Sequence, residues 1–136
     1  MTLEQAVRAE LVATPAVSAL VGTRVWQLKL PQKPILPALR LQLIDEPIGY
    51  HMRGPDGAVR ARLQIDAFES ETADDPYADV TALADAVDDA LTGEPFTSEG
   101  LQITGCFRNT RRVGYDADDI RVVRCMQDYT VWWRPV

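Results

Sequence analysis

Val59 to Ala67 reads Val-Arg-Ala-Arg-Leu-Gln-Ile-Asp-Ala, an unbroken alternation of apolar and polar residues. A period of two sends successive side chains to opposite faces. Val59, Ala61, Leu63, Ile65 and Ala67 therefore face a core, while Arg60, Arg62, Gln64 and Asp66 face out. A chain built around such a strand must supply further strands beside it and a layer over its apolar face. Weaker alternation recurs at Arg24 to Leu30, with Val25 on one side and Trp26 on the other, and at Leu39, Leu41 and Leu43 around Arg40 and Gln42. Leu101, Ile103 and Phe107 define a fourth strand, and Ile120 to Arg134 the last and longest. There Val123, Cys125, Tyr129, Val131 and Trp133 share a face, with Trp132 on the other beside Arg124, Asp128 and Thr130.

Helices supply the covering layer. Thr2 and Gln5 have capping-box spacing, and Leu3, Val7 and Leu11 follow along one stripe. Thr14-Pro15 ends that helix, and Val17, Leu20 and Val21 suggest a further short turn closed by Gly22. Asp75-Pro76 places an N-cap before proline at the first helical position. Tyr77, Val80, Ala84, Val87 and Leu91 then recur at three-four spacing, with Gly93 as the stop. The expectation is one α+β domain over residues 1–136: a mostly antiparallel sheet of about five strands with two helices packed on one face. Pro31, Pro34 and Pro37 stiffen a crossover and forbid a ladder there. Glu46 to Gly57 reads as a loop, and Asn109 to Asp119 as a hairpin tip with a basic half (Arg111, Arg112) and an acidic half (Asp116, Asp118, Asp119). An unbroken register pairing Leu101 and Ile103 with Val131 and Trp133 sends Cys106 and Cys125 to opposite faces, which predicts two free thiols.

Charge is segregated along this framework. Between Leu63 and Phe107 stand eleven Asp and Glu and not one Lys or Arg; all fourteen basic residues lie outside, and the whole chain sums to −6. The third helical segment carries Asp79, Asp85, Asp88 and Asp89 on its outer face. Asp85 and Asp89 repel at i,i+4, and Asp88 and Asp89 sit near the negative end of the helix dipole, costs of a few tenths to about half a kcal/mol each. A helix that tolerates this implies a basic partner. Arg108, Arg111, Arg112, Arg121 and Arg124 are candidates, and Arg pairs carboxylates bidentately. Trp26 and Trp132, on the polar faces of their strands, are candidate contact residues. An acidic chain is a poor match for wrapping nucleic acid, and no apolar run reaches the length of a membrane span.

Motifs for chemistry are sparse. His51 is the single histidine and the cysteines lie outside any CxxC spacing, so a zinc site lacks ligands. Asp116-Ala-Asp118-Asp119 lacks the glycine and late glutamate of a calcium loop. Phosphate-cradling and dinucleotide glycine motifs are absent. No catalytic, metal or cofactor residue is assigned; a small enzyme using His51 with a carboxylate such as Asp66 is the rival from that class, and a monomeric binding module a further one.

Several segments in chain order resemble the tail-completion, or tail-terminator, proteins of tailed phages. They are Pro15-Ala16-Val17 with Leu20-Val21-Gly22, Arg24-Val25-Trp26 leading to Leu30-Pro31-Gln32, and Pro37-Ala38-Leu39. Arg60 to Asp66, Ala82 to Val87 with Ala90-Leu91, and the close Tyr129-Thr130-Val131-Trp132-Trp133 complete the set. The chain departs from the pattern in its longer acidic break, Glu69 to Asp75, and in its charged residues near Arg121. The resemblance implies a virion subunit, assembled in the host cytoplasm, that forms a ring with copies of itself, usually six-fold, on the head-proximal end of the tail tube. Its partners would be the tube protein and the head–tail connector, with DNA passing through the lumen unbound and no cofactor. On that reading Ile48, Tyr50, His51, Met52 and Arg53 form the loop that reaches the tube. The acidic helix and the arginines would meet between neighbours, since a ring needs two different complementary patches. The alternative within assembly is a neck or head-closure component of the connector.

Overall fold

Two residue classes decide the architecture: the inward-facing apolar positions of four strands, and three helical stripes that cover them. The computed structural model describes residues 2–51 and 54–136, the side chains of residues 48–57 excepted. Helix α1 (Leu3–Ala13) opens on the expected capping box, in which the Thr2 hydroxyl accepts from the Gln5 backbone N–H at 3.2 Å and the Gln5 side chain accepts from Thr2 N–H at 2.9 Å. Helix α2 (Pro15–Val21) is longer than the expected turn and makes a third helix. Pro15 pre-sets its first residue, Gly22 ends it at φ 60°, and Val17 and Val21, one turn apart, are both fully buried.

The strands are β1 (Val25–Gln27), β2 (Ala38–Asp45), β3 (Ile48–His51), β4 (Gly54–Ser70), β5 (Phe96–Ser98), β6 (Leu101–Tyr115) and β7 (Val122–Pro135), with α3 (Pro76–Thr92) between β4 and β5. They form one seven-stranded sheet in the order β1-β2-β4-β7-β6-β5, with β3 paired to β4 off that path. Among the described residues only β1 and β2 pair in parallel. Seven strands replace the five expected because β3 and β5 are short and arise where turn residues dominate. Glu46 to Gly57, expected as a loop, instead contains β3 and the start of β4, with Ile48 opposite Val59. Likewise β6 continues to Tyr115, so Arg111 and Arg112 are strand residues and the hairpin tip narrows to residues 116–121.

β4 holds the centre, paired to β2 along one edge and to β7 from Val59↔Trp133 to Ser70↔Val122 along the other. Its expected alternation is observed. Ala61, Leu63, Ile65 and Ala67 join Leu39, Leu41, Val123, Cys125, Tyr129 and Val131 in one core with the apolar stripes of all three helices. On α3 the buried stripe is Val80, Leu83, Ala84, Val87 and Leu91; Leu83 fills the place expected for Tyr77, which is 63% exposed. Asp75 caps α3 by accepting from Ala78 N–H at 3.1 Å.

Register slips twice in the β6–β7 pairing, between Ile103 and Gly105 and between Arg108 and Thr110. Each bulge inserts a residue and reverses which face the following side chains take. The first places Cys106 opposite Val131 on the core face. Cys106 and Cys125 are therefore on the same face, not opposite faces as expected, and both are buried and free. Their separation lies along the sheet: Cys125 pairs with Val113, and Val131 stands six residues further along β7, about 20 Å in extended chain.

One polar residue sits deep in this core. Gln127 is 1% exposed at an inward position of β7. Its amide N–H groups donate to the Ala84 carbonyl of α3 at 3.0 Å and to the Tyr129 hydroxyl at 2.9 Å. Its carbonyl accepts from Arg111 Nε at 2.9 Å and Arg108 Nη1 at 3.3 Å. Gln127→Leu keeps the volume but strips partners from two guanidinium groups and a helix carbonyl. It is expected to lower unfolding free energy by about 2–3 kcal/mol in chemical denaturation. A cost below about 0.5 kcal/mol would show that the amide is replaceable by packing.

Candidate functional site

The acidic outer face of α3 finds its first basic partners within its own chain. The first bulge turns Arg108 of β6 toward the helix side and the second restores Arg111 to that side, where Arg111 Nη2 lies 2.8 Å from Asp85 Oδ1 and Arg108 Nη1 lies 3.9 Å from Asp88 Oδ2. The Arg111 contact is a charge pairing without the alignment of a hydrogen bond, since Nη2 has no such partner. Asp88 also accepts from the Tyr129 hydroxyl at 3.1 Å. Burial, reinforced by Asp88, holds that phenol well above its usual range, so it remains a donor. The dipole and i,i+4 penalties on α3 are thus offset internally at Asp85 and Asp88. Asp79 and Asp89 are exposed and have no ion pair among the described residues.

Among the described residues the opposite face of the sheet carries no helix. Its centre is Asp66, 0% exposed, which receives Arg40 Nη2 at 2.6 Å, Arg40 Nε at 3.2 Å, Arg124 Nη2 at 3.2 Å and the Gln64 amide at 3.1 Å. Arg40 also stacks over Phe68, 5.1 Å from the ring centroid. Beside this cluster Arg62 pairs with Asp128 at 2.7 Å. Asp66 has both oxygens engaged and no solvent access, so it offers no carboxylate for proton transfer. Arg124 is committed to Asp66, and Arg121 to Asp119 at 3.0 Å, whose carboxyl the guanidinium holds below its ordinary range. Arg112 lies on β6 opposite Met126, exposed, with no ion pair among the described residues.

The two tryptophans are exposed as expected, Trp26 at 37% and Trp132 at 40%, but they stand apart. Trp26 aligns through Arg40 with Asp66 of β4, whereas Trp132 aligns with Arg60. Trp132 belongs to an aromatic patch with Phe107, itself 60% exposed, and Arg60 lies 6.0 Å from the indole centroid. Gly105 makes the patch possible: a Cβ there would sit 3.1 Å from the Phe107 ring and 3.8 Å from Trp132. A glycine inside a strand is the sequence signal for both this close approach and the bulge. Of the expected tube-contact loop, Ile48, Tyr50 and His51 lie in β3 with side chains outside the described set, and Met52 and Arg53 lie outside the described residues.

Among the described residues no three metal-ligating side chains gather. Both thiols are raised by burial, Cys106 to about 12, which leaves negligible thiolate at neutral pH. A disulfide-type thiol reagent at pH 8 is expected to label no cysteine in the native protein and two after denaturation; fast native labelling would contradict the burial. Asp66→Asn removes the charge that Arg40 and Arg124 share. Both guanidinium groups keep some water contact, so the expected cost is about 2 kcal/mol by chemical denaturation. Asp85→Asn, at a 65% exposed position, is expected to cost under about 0.5 kcal/mol.

Solved structures share this arrangement of helices and sheet. A chain from the virion of a native gene transfer agent (GTA) particle matches with TM-score 0.72 and 21% identity, covering 97% of this chain and 94% of that one. A second solved chain matches with TM-score 0.52 and 16% identity, covering 91% and 90%. At such identities the likeness is one of fold. No curated protein matches the chain. The family model described as tail completion protein gp17 matches residues 5–134, nearly the whole chain, and the protein belongs to that family.

Proposed function

We propose that the protein closes into a ring, six-fold by the family resemblance, on the head-proximal end of a phage tail tube. There it ends tube growth and presents the surface that joins the head. Family membership gives the broader role, a structural part in completing a phage tail. The observation that carries the finer reading is the surface left once internal pairing is complete. Exposed carboxylates (Asp74, Asp79, Asp89) gather on and before α3, while exposed apolar residues stand in separate places, Trp26, Leu28 and Ile35 in and after β1 and Phe107 with Trp132 on β6 and β7. Two unlike patches on one subunit suit a head-to-tail contact, the kind that generates rings when the rotation closes. Large exposed aromatic side chains are the usual anchors of such contacts.

In this reading the loop around Ile48, Tyr50, His51, Met52 and Arg53 meets the last ring of tube protein, and the opposite rim meets the connector. The remaining acidic residues would keep the lumen free of adherent DNA. Arg111, Arg108 and Arg124 are already engaged inside the chain, so they would reinforce the interface from behind.

Light scattering behind size exclusion is expected to show a particle about six times the 15.1 kDa chain, alone or on addition of tube protein. Phage lacking the protein are expected to make over-long tubes by electron microscopy. Tails of normal length in its absence, with a strictly monomeric protein, would sink the ring reading.

A further inference from the structure

Strand register sorts the side chains of the sheet between its two faces. Among the described residues, the face without helices carries Arg40, Arg60, Arg62, Arg112, Arg124 and Arg134 against three aspartates, on a chain whose net charge is −6. Its described strand positions hold no Lys and no Glu, while Trp26, Phe107 and Trp132 are exposed on it. Arginine, methionine and aromatic rings in place of Lys and Glu mark the contact surfaces of proteins. The basic residues concentrate toward one end. Arg112, half-buried Met126, Asp66 and Arg40 stand in one row across the strands, with Arg124 in the next. Pairing there is incomplete: Arg112 is exposed and meets no carboxylate among the described residues, and Arg124 Nε has no hydrogen-bond partner.

The helix layer has the opposite sign. α3 contains four aspartates and no basic residue. It packs over β4, β6 and β7 and beside α2, which leaves one stripe facing away from the sheet. That stripe is Ala78, Ala82, Asp85 and Asp89, at i, i+4, i+7 and i+11, all exposed. Asp85 stays open to water beside Arg111, and Asp89 has no ion pair among the described residues. The two alanines keep the first half of the stripe low, so a second surface can come close to the helix. A basic, aromatic sheet face and an acidic helix crest therefore point away from each other across one subunit.

We infer that the open sheet face of one copy packs on the α3 crest of the next copy, Asp85 and Asp89 meeting Arg112 and Arg124 while Ala78 and Ala82 lie against Phe107. The spacings agree. Arg112 and Phe107 oppose residues four apart on β7, about 13 Å along the strands, and Asp89 and Ala82 are about 10 Å apart along the helix. The sheet then has a helix on both faces, the ordinary layered arrangement, with the second supplied by the neighbour. Each copy offers one surface and receives the other, so the contact is heterologous and repeats around a ring. It presupposes the ring reading and supplies its interface. Duplex DNA is the other polyanion that a basic face attracts. Here Asp66 engages Arg40 and Arg124, Asp128 engages Arg62, and no lysine stands beside them, which leaves little charge to track phosphates.

Two charge-reversed variants test it. One carries Thr110→Glu and Arg112→Glu on the sheet face, the other Asp85→Arg and Asp89→Arg on the crest. Each alone sets like charges together at every contact and is expected to stay monomeric at about ten times the concentration where the wild type assembles. Mixed one to one, each sheet face meets a crest of opposite sign, and alternating rings are expected to return. That recovery also shows that both variants fold. Rings from either variant alone, or no recovery on mixing while both keep the wild-type circular dichroism spectrum, would overturn the contact and leave the ring reading standing. If either loses that spectrum, Arg112→Gln and Asp89→Asn replace the reversals, each expected to raise the assembling concentration about threefold. Unchanged assembly by both would overturn the contact. Duplex DNA retained by the wild type at physiological salt and released by the sheet-face variant would give the face to nucleic acid instead. A wild type that stays monomeric even with tube protein would overturn both the contact and the ring.

Discussion

The amide of Gln127 is the point on which the helix layer and the sheet layer depend together. Apolar contact alone positions α3 over β4, β6 and β7 but does not fix its rotation or its height along the strands. The donation from Gln127 to the Ala84 carbonyl does both, because it ties one atom of the helix backbone to one residue of β7. The same side chain gathers Arg108, Arg111 and Tyr129, and through them Asp85 and Asp88. A polar network in a low-dielectric interior specifies one arrangement among several that apolar packing would tolerate, here with Arg111 Nη2 held by the charge of Asp85 alone. It also neutralises the part of the acidic helix that would otherwise resist helix formation.

The two faces of the sheet consequently follow different physical rules. The helix side is a close-packed apolar core with one polar knot. The open side is a lattice of guanidinium, carboxylate and amide groups around Asp66, with aromatic side chains at its borders. Antiparallel sheets tolerate water on one face when that face is polar, and here Arg40, Arg124 and Gln64 enclose Asp66 closely enough to exclude water from it, while Arg124 Nε and Asp128 Oδ1 stay without a hydrogen-bond partner. The large exposed apolar residues and the unpaired charges are at the margins, in residues 28–37, on the outer turns of α3 and around Trp132.

Much of this was legible in the sequence for identifiable reasons. The β4 alternation, the Thr2–Gln5 box and the Asp75-Pro76 cap are local signals, and each stands where expected. Errors arose where periodicity has two solutions. Tyr77 and Leu83 both fit a three-four stripe, and only the tertiary fit selects the leucine. The bulge at Ile103/Gly105 shifts Cys106 inward and Phe107 outward, and Gly105 is its one local sign. The charge segregation was plain in the sequence; how those charges divide between self-pairing and a neighbour depends on the register of β6, which is non-local. Gln127 interrupts an apolar series at an inward position, a signal as strong as any in the chain once the strand is in register.

The bulges carry a consequence for assembly kinetics. β5 covers β6 only from Leu101 to Ile103, so the remainder of β6 is an open edge among the described residues. A straight edge of that length is a template on which strands add without limit, the route to fibrils. Two register slips and the inward-turned Arg108 and Arg111 deny an incoming strand a continuous ladder. Growth by backbone pairing along this edge is thereby throttled. Irregularity in its own sheet thus protects a member of a tail-completion family from growing a polymer through its edge.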